Sequence, residues 1–112
     1  MSVPIEATPS EVKRRMDEGE RLFLIDVREP YEHLQANLSG AELIPMRSVP
    51  AELQKIEGFS DEGPIIVFCH HGMRSLQVAN WLREHGVENC QSMAGGIDRW
   101  SCEVDPKVPR YY

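Results

Sequence analysis

Two short, uninterrupted apolar runs stand out in the chain, Leu-Phe-Leu-Ile at residues 22–25 and Ile-Ile-Val-Phe at residues 65–68. Four consecutive residues of this kind, with no polar alternation, are typical of strands that are covered on both faces of a parallel sheet. The first run ends at Asp26 and the second at Cys69. We therefore predict two buried strands, each with a polar or reactive side chain at its carboxyl end.

A spacing of three to four residues marks the helices. After a predicted loop at residues 69–74, small and apolar side chains recur at i, i+3, i+4 and i+7 and are followed by a glycine, which predicts a helix. These residues are Ser75, Val78, Ala79, Leu82 and Gly86. Near the start of the chain, Thr8 and Glu11 have the spacing of a capping box around Pro9, and Gly19 is expected to end that helix.

Weaker signals predict the remaining elements. Glu29-Pro30 is expected to break the chain after the first strand, and residues 104–112 are expected to lie along the surface with their tyrosines covering apolar area. Further strands are predicted at 41–44 and 87–93, helices at 49–56 and 97–102, and a loop at 58–63.

Strands that alternate with helices predict a fold class. They imply βαβ units, right-handed crossovers and a mostly parallel central sheet flanked by helices on both faces, the α/β class. A chain of 112 residues has the length of one domain, and no internal repeat or linker divides it, so residues 1–112 are expected to form a single domain.

Composition and charge narrow the range of partners. The 18 acidic and 12 basic residues leave a formal net charge of −6, which argues against nucleic acid because phosphate binding requires a basic surface. Hydrophobic residues make up 41% of the chain, as in ordinary globular proteins, and no stretch approaches the ~20 apolar residues that cross a bilayer. No secretory signal is visible in the first residues. A cytoplasmic protein without a membrane segment is expected.

Cys69 is predicted to be the reactive residue of the chain. Its position between a buried strand and a helix places it in a loop whose backbone N–H groups point inward, where the helix dipole adds positive charge. Such a cradle stabilises a thiolate, which is the reactive form of cysteine. Gly72 suits a tight loop, and His70, His71 and Arg74 can add positive charge. An inert buried cysteine is the competing interpretation, but the coincidence of strand, cysteine, glycine, arginine and helix favours reactivity.

This loop resembles the active-site loop of the rhodanese family of sulfurtransferases, and the match to single-domain members is close. The family pattern C-x-x-G-x-R-S corresponds here to Cys69-His70-His71-Gly72-Met73-Arg74-Ser75. Other matching segments follow in the family's order along nearly the whole chain: Asp26-Val27-Arg28-Glu29-Pro30 with Glu32, Gly40-Ala41 with Ile44-Pro45, and Gly95-Gly96-Ile97 with Trp100. One segment departs, because Ala36-Asn37-Leu38-Ser39-Gly40-Ala41 stands where members often carry G-H-I-P-G-A.

The resemblance implies a two-step sulfur transfer. The Cys69 thiolate would take the outer sulfur of a small anionic donor such as thiosulfate and pass it, as a persulfide, to cyanide or a thiol. It also implies that His70, His71, Gly72, Met73, Arg74 and Ser75 form the substrate-binding loop, that Arg74 and the histidines attract the donor, and that Asp26 and Arg28 lie beside the loop and shape it. No cofactor and no metal are expected.

Several alternatives remain open at this point. The chain is expected to be either an enzyme that uses a small donor or a sulfur-carrier module that exchanges a persulfide with a protein partner. Phosphatase or arsenate reductase chemistry is disfavoured, because those loops have the spacing C-x5-R and this one has C-x4-R. Zinc binding by Cys69 with the adjacent histidines is disfavoured by their spacing. A redox pair of Cys69 with Cys90 or Cys102 is possible, although structural thiols are expected at both.

Overall fold

In the computed structural model, which describes residues 3–111, five strands form one parallel sheet with helices on both faces. The sheet has the order β1-β5-β4-β2-β3, with β4 at its centre. This architecture confirms the predicted α/β class. The strands are β1 (Glu6–Ala7), β2 (Phe23–Asp26), β3 (Glu42–Leu43), β4 (Ile65–Phe68) and β5 (Cys90–Met93).

The helices are α1 (Pro9–Asp17), α2 (Pro30–Gln35), α3 (Leu53–Glu62), α4 (Met73–Glu84) and α5 (Gly96–Glu103). One apolar cluster joins the sheet to α3 and α4, and a second cluster on the opposite face joins it to α1 and α5. Crossovers that run in opposite directions along the sheet cover opposite faces when each is right-handed. None of the helices in the described part of the chain is long and apolar enough to cross a bilayer.

The uninterrupted apolar sequence of β4 follows from its central position. Its neighbours are β2 and β5, and all four of its residues are buried. Ile65, Val67 and Cys69 face the cluster with α3 and α4, whereas Ile66 and Phe68 face the cluster with α1 and α5. A strand with helices on both faces has no position for a polar side chain, so its bounds match the prediction.

The segment between β3 and β4 is where the sequence prediction was wrong. Residues 50–56 of the predicted helix at 49–56 are helical, as the 3-10 turn Pro50–Glu52 followed by the start of α3. The predicted loop at 58–63 is wrong, because α3 continues through Gly58 to Glu62, and a further 3-10 turn, Met46–Ser48, precedes the segment. Phe59 explains the longer helix, because its ring stacks on Phe23 with a centroid distance of 5.2 Å. Tertiary packing of this kind outweighs the low helix propensity of one glycine.

Four further elements differ from the prediction. Pro30 does not simply break the chain; it occupies the first turn of α2, where its missing N–H costs nothing. The two-residue β1 is too short to leave a pattern and exists through its pairing with β5. Helix α4 begins at Met73, so Arg74 and Ser75 lie in its first turn, and β5 begins at Cys90 rather than at residue 87. Tyr112 lies outside the described residues.

Candidate active site

Cys69 follows β4 at the carboxyl edge of the sheet. The chain leaves β2 toward β3 on one side and leaves β4 toward β5 on the other, so the crevice between β2 and β4 is the topological switch point. Ligands of open α/β sheets bind at such crevices. The structure thus places the predicted nucleophile where this fold class forms its binding sites.

The sulfur of Cys69 lies within a cradle of hydrogen-bond donors. Sγ accepts a hydrogen bond from the backbone N–H of Gly72 at 3.1 Å and one from the N–H of Ser75 at 3.3 Å. The hydroxyl oxygen of Ser75 lies 3.4 Å from the sulfur. Cys69 as a whole is 1% exposed, so these donors act in a site with little competing water. The arrangement can hold negative charge on sulfur as an oxyanion hole holds it on oxygen.

Gly72 allows the loop to turn into α4. It precedes the first helical residue with φ of +103°, a conformation that side chains bearing a Cβ rarely adopt. A Cβ added there would also lie 3.0 Å from the backbone nitrogen of Gly95. The glycine predicted for a tight loop is thus required both by its own backbone angle and by the neighbouring turn.

Ser92 is a part of the site that sequence reasoning missed. It lies on β5, is fully buried, and its hydroxyl is 2.7 Å from that of Ser75. The only sequence signal was a serine within a predicted buried strand, and that signal does not indicate what the side chain contacts. Ser92 therefore holds the hydroxyl that lies beside the sulfur of Cys69.

The first turn of α5 holds the loop through backbone hydrogen bonds. The N–H of Ile97 donates to the carbonyl of Cys69 at 2.9 Å, and the N–H of Asp98 donates to the carbonyl of His70 at 3.2 Å. Gly96 makes this contact possible, because it has φ of +62° and any Cβ there would overlap both carbonyl oxygens. Gly95 and Gly96 therefore pack closely against the backbone of the loop, in addition to following β5 in the chain.

Substituting Gly96 by alanine is expected to destabilise the protein by about 2–4 kcal/mol, from the unfavourable backbone angle and the displaced loop. Gly58→Ala is the matched control, because nothing lies within 4 Å of a Cβ at that helical position. The control is expected to be neutral or stabilising. Urea unfolding followed by circular dichroism measures both changes, and equal stability of the two variants would contradict the prediction.

Arg74 does not point freely toward a donor. Its Nη1 and Nη2 donate to the two carboxylate oxygens of Glu32 at 2.7 and 2.9 Å, a bidentate ion pair between α4 and α2. The guanidinium of Arg74, together with the hydroxyl of Tyr111, lowers the pKa of Glu32 to about 2, against the opposing effect of burial. The same pair raises the pKa of Arg74. The predicted attraction of the donor by Arg74 must therefore compete with an internal carboxylate.

We expect the Glu32 ion pair to make stability depend on pH in acid. The pKa of Glu32 is about 2 in the folded chain against an ordinary 4.5, so the unfolded chain takes up the proton first. The contribution of the pair is complete above pH ~4.5 and is lost as the pH falls toward ~2. Glu32→Gln is expected to lower the free energy of unfolding at pH 7 by about 1–3 kcal/mol and to flatten this dependence.

The measurement is urea unfolding at a series of pH values between 3 and 7, and Glu57→Gln on the exposed face of α3 is the control. Parallel stability curves for wild type and Glu32→Gln would contradict the prediction.

Asp26 and Arg28 form a fully buried ion pair at the carboxyl end of β2. Nε and Nη2 of Arg28 donate to the two oxygens of Asp26 at 2.8 and 2.7 Å. Nη2 also donates to the carbonyl of Ala36 at 2.6 Å, which anchors the turn that departs from the family pattern. Burial alone would lower the pKa of Arg28, but the hydrogen bonds to Asp26 and Tyr111 outweigh it and the pKa is raised. Tyr111 connects this ion pair to the loop, because Arg28 donates to its hydroxyl and its ring stacks on His70.

The two histidines of the loop stack on each other. The ring centroids of His70 and His71 are 3.9 Å apart with an angle of 20° between the planes. Together with Asp98 they form a cluster whose possible ligand atoms lie within 4.8 Å of one another. Imidazole binds a metal in its ring plane, and two nearly parallel planes do not converge on one ion. Asp98 is also engaged by Arg110, at 2.8 and 3.1 Å. The cluster is poorly arranged for a metal.

Cys90 lies apart from the loop sulfur. Cys90 is buried on β5 in register with Ile65, and burial raises the pKa of its thiol to about 11. Cys69 lies four residues further along β4, which at ~3.3 Å per residue exceeds the reach of a disulfide. Cys102 is exposed on α5. The structural interpretation of Cys90 is therefore favoured over a redox pair with Cys69.

Comparison with known proteins agrees with this geometry. The model of the rhodanese-like domain matches residues 8–103. The chain is 33% identical over 107 residues to the thiosulfate sulfurtransferase GlpE of Haemophilus influenzae, covering 96% of both chains. The crystal structure of SSP1007 from Staphylococcus saprophyticus is similar with a TM-score of 0.78 and 30% identity, and the match covers 98% of this chain and 100% of that one.

Other relatives are much longer proteins. The chain is 40% identical to the rhodanese-like/PpiC domain-containing protein 12 of Arabidopsis thaliana, and the match covers 86% of this chain and 31% of that protein. It is 34% identical to the adenylyltransferase and sulfurtransferase MOCS3-2 of Zea mays, with 93% and 22% covered. The chain thus spans less than a third of these two relatives. The resemblance found in the loop is confirmed across most of the sequence, and the chain belongs to the rhodanese-like domain family, which includes sulfurtransferases.

Proposed function

We propose that this protein transfers a sulfane sulfur through a persulfide on Cys69. The observation that carries the proposal is the position of Sγ, which accepts two backbone N–H bonds at the start of α4. Donors in this position can stabilise negative charge on the attacking sulfur and on the terminal sulfur of a persulfide. Both states of the sulfur need the same kind of donors, and the loop provides them without charged side chains.

With thiosulfate as donor, the Cys69 thiolate attacks the outer sulfur and forms a new S–S bond. The bond between the two thiosulfate sulfurs breaks, and its electron pair leaves with sulfite. Cyanide then attacks the terminal sulfur of the persulfide, the S–S bond to Cys69 breaks, and the thiolate is regenerated as thiocyanate departs. Atoms and electrons balance within these two displacements, so no external oxidant is required.

A second candidate is a persulfide relay with a protein partner. It is favoured by Met73, an apolar side chain next to the loop glycine that is 77% exposed. Exposed apolar side chains beside a reactive group are a feature of protein contact surfaces. The engagement of Arg74 by Glu32 also leaves less positive charge for an inorganic dianion. Phosphatase chemistry has no comparable support, because the arginine that would bind the phosphoryl group is held by this carboxylate.

The test is intact-mass analysis after incubation with thiosulfate, then peptide mapping, and then addition of cyanide with detection of thiocyanate. We expect one added sulfur on Cys69, discharged as thiocyanate. The matched controls are Cys90→Ser and Cys102→Ser, which are expected to load as wild type does. Loading from a cysteine desulfurase persulfide but not from thiosulfate would support the relay. Loading from neither donor would contradict the proposal.

A further inference from the structure

The segment after α5 returns to the active-site loop. The hydroxyl of Ser101 donates to the carbonyl of Val108 at 2.6 Å, and Arg110 pairs with Asp98 at the start of α5. These contacts bring Tyr111 against the loop residue His70. The sequence predicted only that tyrosines here cover apolar surface, whereas Tyr111 makes specific polar contacts.

The hydroxyl of Tyr111 joins the two ion pairs described above. It donates to Oε2 of Glu32 at 2.7 Å and accepts a hydrogen bond from Nη1 of Arg28 at 2.9 Å. Burial and the bond to Glu32 raise the pKa of this hydroxyl to about 12, so it keeps its proton at neutral pH. One side chain thereby connects the Asp26–Arg28 pair, at the end of β2, with the pair that joins Glu32 of α2 to Arg74 in the first turn of α4.

The ring of Tyr111 packs on the loop itself. It stacks on the imidazole of His70 with a centroid distance of 4.0 Å and an angle of 11°. His71 stacks on the same imidazole, and Nε2 of His70 is buried with no hydrogen-bond partner within residues 3–111. Besides Tyr111, the titratable groups that act on His70 are His71, Asp98 and Glu32.

We propose that Tyr111 is a positioning residue of the Cys69 loop. Its ring holds the loop by stacking on His70, and its hydroxyl holds the loop through the Glu32–Arg74 ion pair. The proposal deepens the proposed sulfur transfer and rests on it only for its effect on rate. Arg74 belongs to the turn whose N–H groups bind Sγ, and His70 follows Cys69 directly. Both sides of the sulfur cradle are therefore tied to one side chain.

Three variants separate the parts of this contact. Tyr111→Phe keeps the ring and removes the hydroxyl, and Tyr111→Ala removes both. Tyr31→Ala is the matched control, because Tyr31 is 63% exposed on α2. Melting temperatures establish that each variant is folded. The measurements are hydrogen exchange of the Gly72 and Ser75 amides, the titration of the His70 imidazole by NMR, and the rate of sulfur loading.

For Tyr111→Ala, we expect the Gly72 and Ser75 amides to exchange roughly tenfold faster, because the loop opens more often, while the amides of β4 are unchanged. Sulfur loading is expected to slow by roughly tenfold. The pKa of His70, which burial lowers, should rise toward its ordinary 6.5. Tyr111→Phe should retain the wild-type titration of His70 and show a smaller change in exchange. Tyr31→Ala should behave as wild type.

Amide exchange and loading that match wild type in a folded Tyr111→Ala variant would overturn the proposal, even if the His70 titration moved. Such a result would mean that Tyr111 only covers His70. If the wild-type protein accepted no sulfur from any donor, the proposed function would fail. The exchange measurement would still decide whether Tyr111 positions the loop, so the two failures are distinguishable.

Discussion

Cys69→Ser is expected to abolish sulfur loading and to leave the fold intact. The serine hydroxyl occupies the same position and can accept the N–H bonds of Gly72 and Ser75. It cannot form the S–S bond on which transfer depends, and loss of a nucleophile lowers turnover by on the order of a thousandfold or more. The measurements are thiocyanate formation and intact mass, with a melting curve to establish folding.

Ser75→Ala is the graded comparison for this variant. It removes the hydroxyl 3.4 Å from the sulfur but keeps the backbone N–H that bonds to it. We expect this variant to retain loading at a reduced rate, because it removes one polar contact of the sulfur and keeps both backbone N–H bonds, which costs less than removal of the nucleophile. Loading of Cys69→Ser at the wild-type rate would place the acceptor sulfur elsewhere and contradict the assignment of Cys69.

Arg28→Met is expected to cause the largest loss of stability, about 3–5 kcal/mol at neutral pH. The guanidinium is 0% exposed and makes two hydrogen bonds to Asp26, whose carboxylate is equally buried. Removing the guanidinium leaves that carboxylate without its main partner, although the imidazole of His33, 2.9 Å away, and the backbone N–H of residue 28, at 3.0 Å, remain close to it. The measurement is the free energy of unfolding in urea.

The double variant Asp26→Asn/Arg28→Met distinguishes loss of a charge partner from loss of packing. The asparagine is uncharged and its oxygen can still accept the N–H of residue 28, which donates to Asp26 at 3.0 Å in the wild type. We expect the double variant to recover at least about half of the lost stability, since a buried pair costs most when one member is removed alone. A double variant less stable than Arg28→Met would indicate that packing dominates.

The predictable parts of this protein are those in which one local feature decides the structure. β4 could be placed because burial on both faces excludes polar residues from four consecutive positions. α1 could be placed because the Thr8 and Glu11 side chains bond to each other's backbone, as their spacing indicated. α3 could not, because its second half depends on the contact of Phe59 with Phe23, far away in sequence. Gly58, within this helix, is a local signal that predicts a break rather than a continuous helix.

The same distinction applies to the site. Cys69, Gly72 and Arg74 share one strand-loop-helix segment, so their spacing already indicated a thiolate in a cradle of N–H groups. Their family pattern is likewise a local property. The sulfur transfer that the resemblance implies for these side chains stays a prediction, and the variants described above test it.

The sequence by itself determined the parallel α/β fold and the strand-loop-helix segment that carries Cys69, because period, capping and spacing act over a few neighbouring residues. Only the tertiary structure decided which side chains meet at the site. Glu32 forms an ion pair with Arg74, Ser92 contacts the hydroxyl of Ser75, and Tyr111 connects the Glu32–Arg74 and Asp26–Arg28 pairs. These contacts join residues 17 to 83 positions apart in the chain. Their geometry depends on how separate strands and helices pack, which no local spacing encodes.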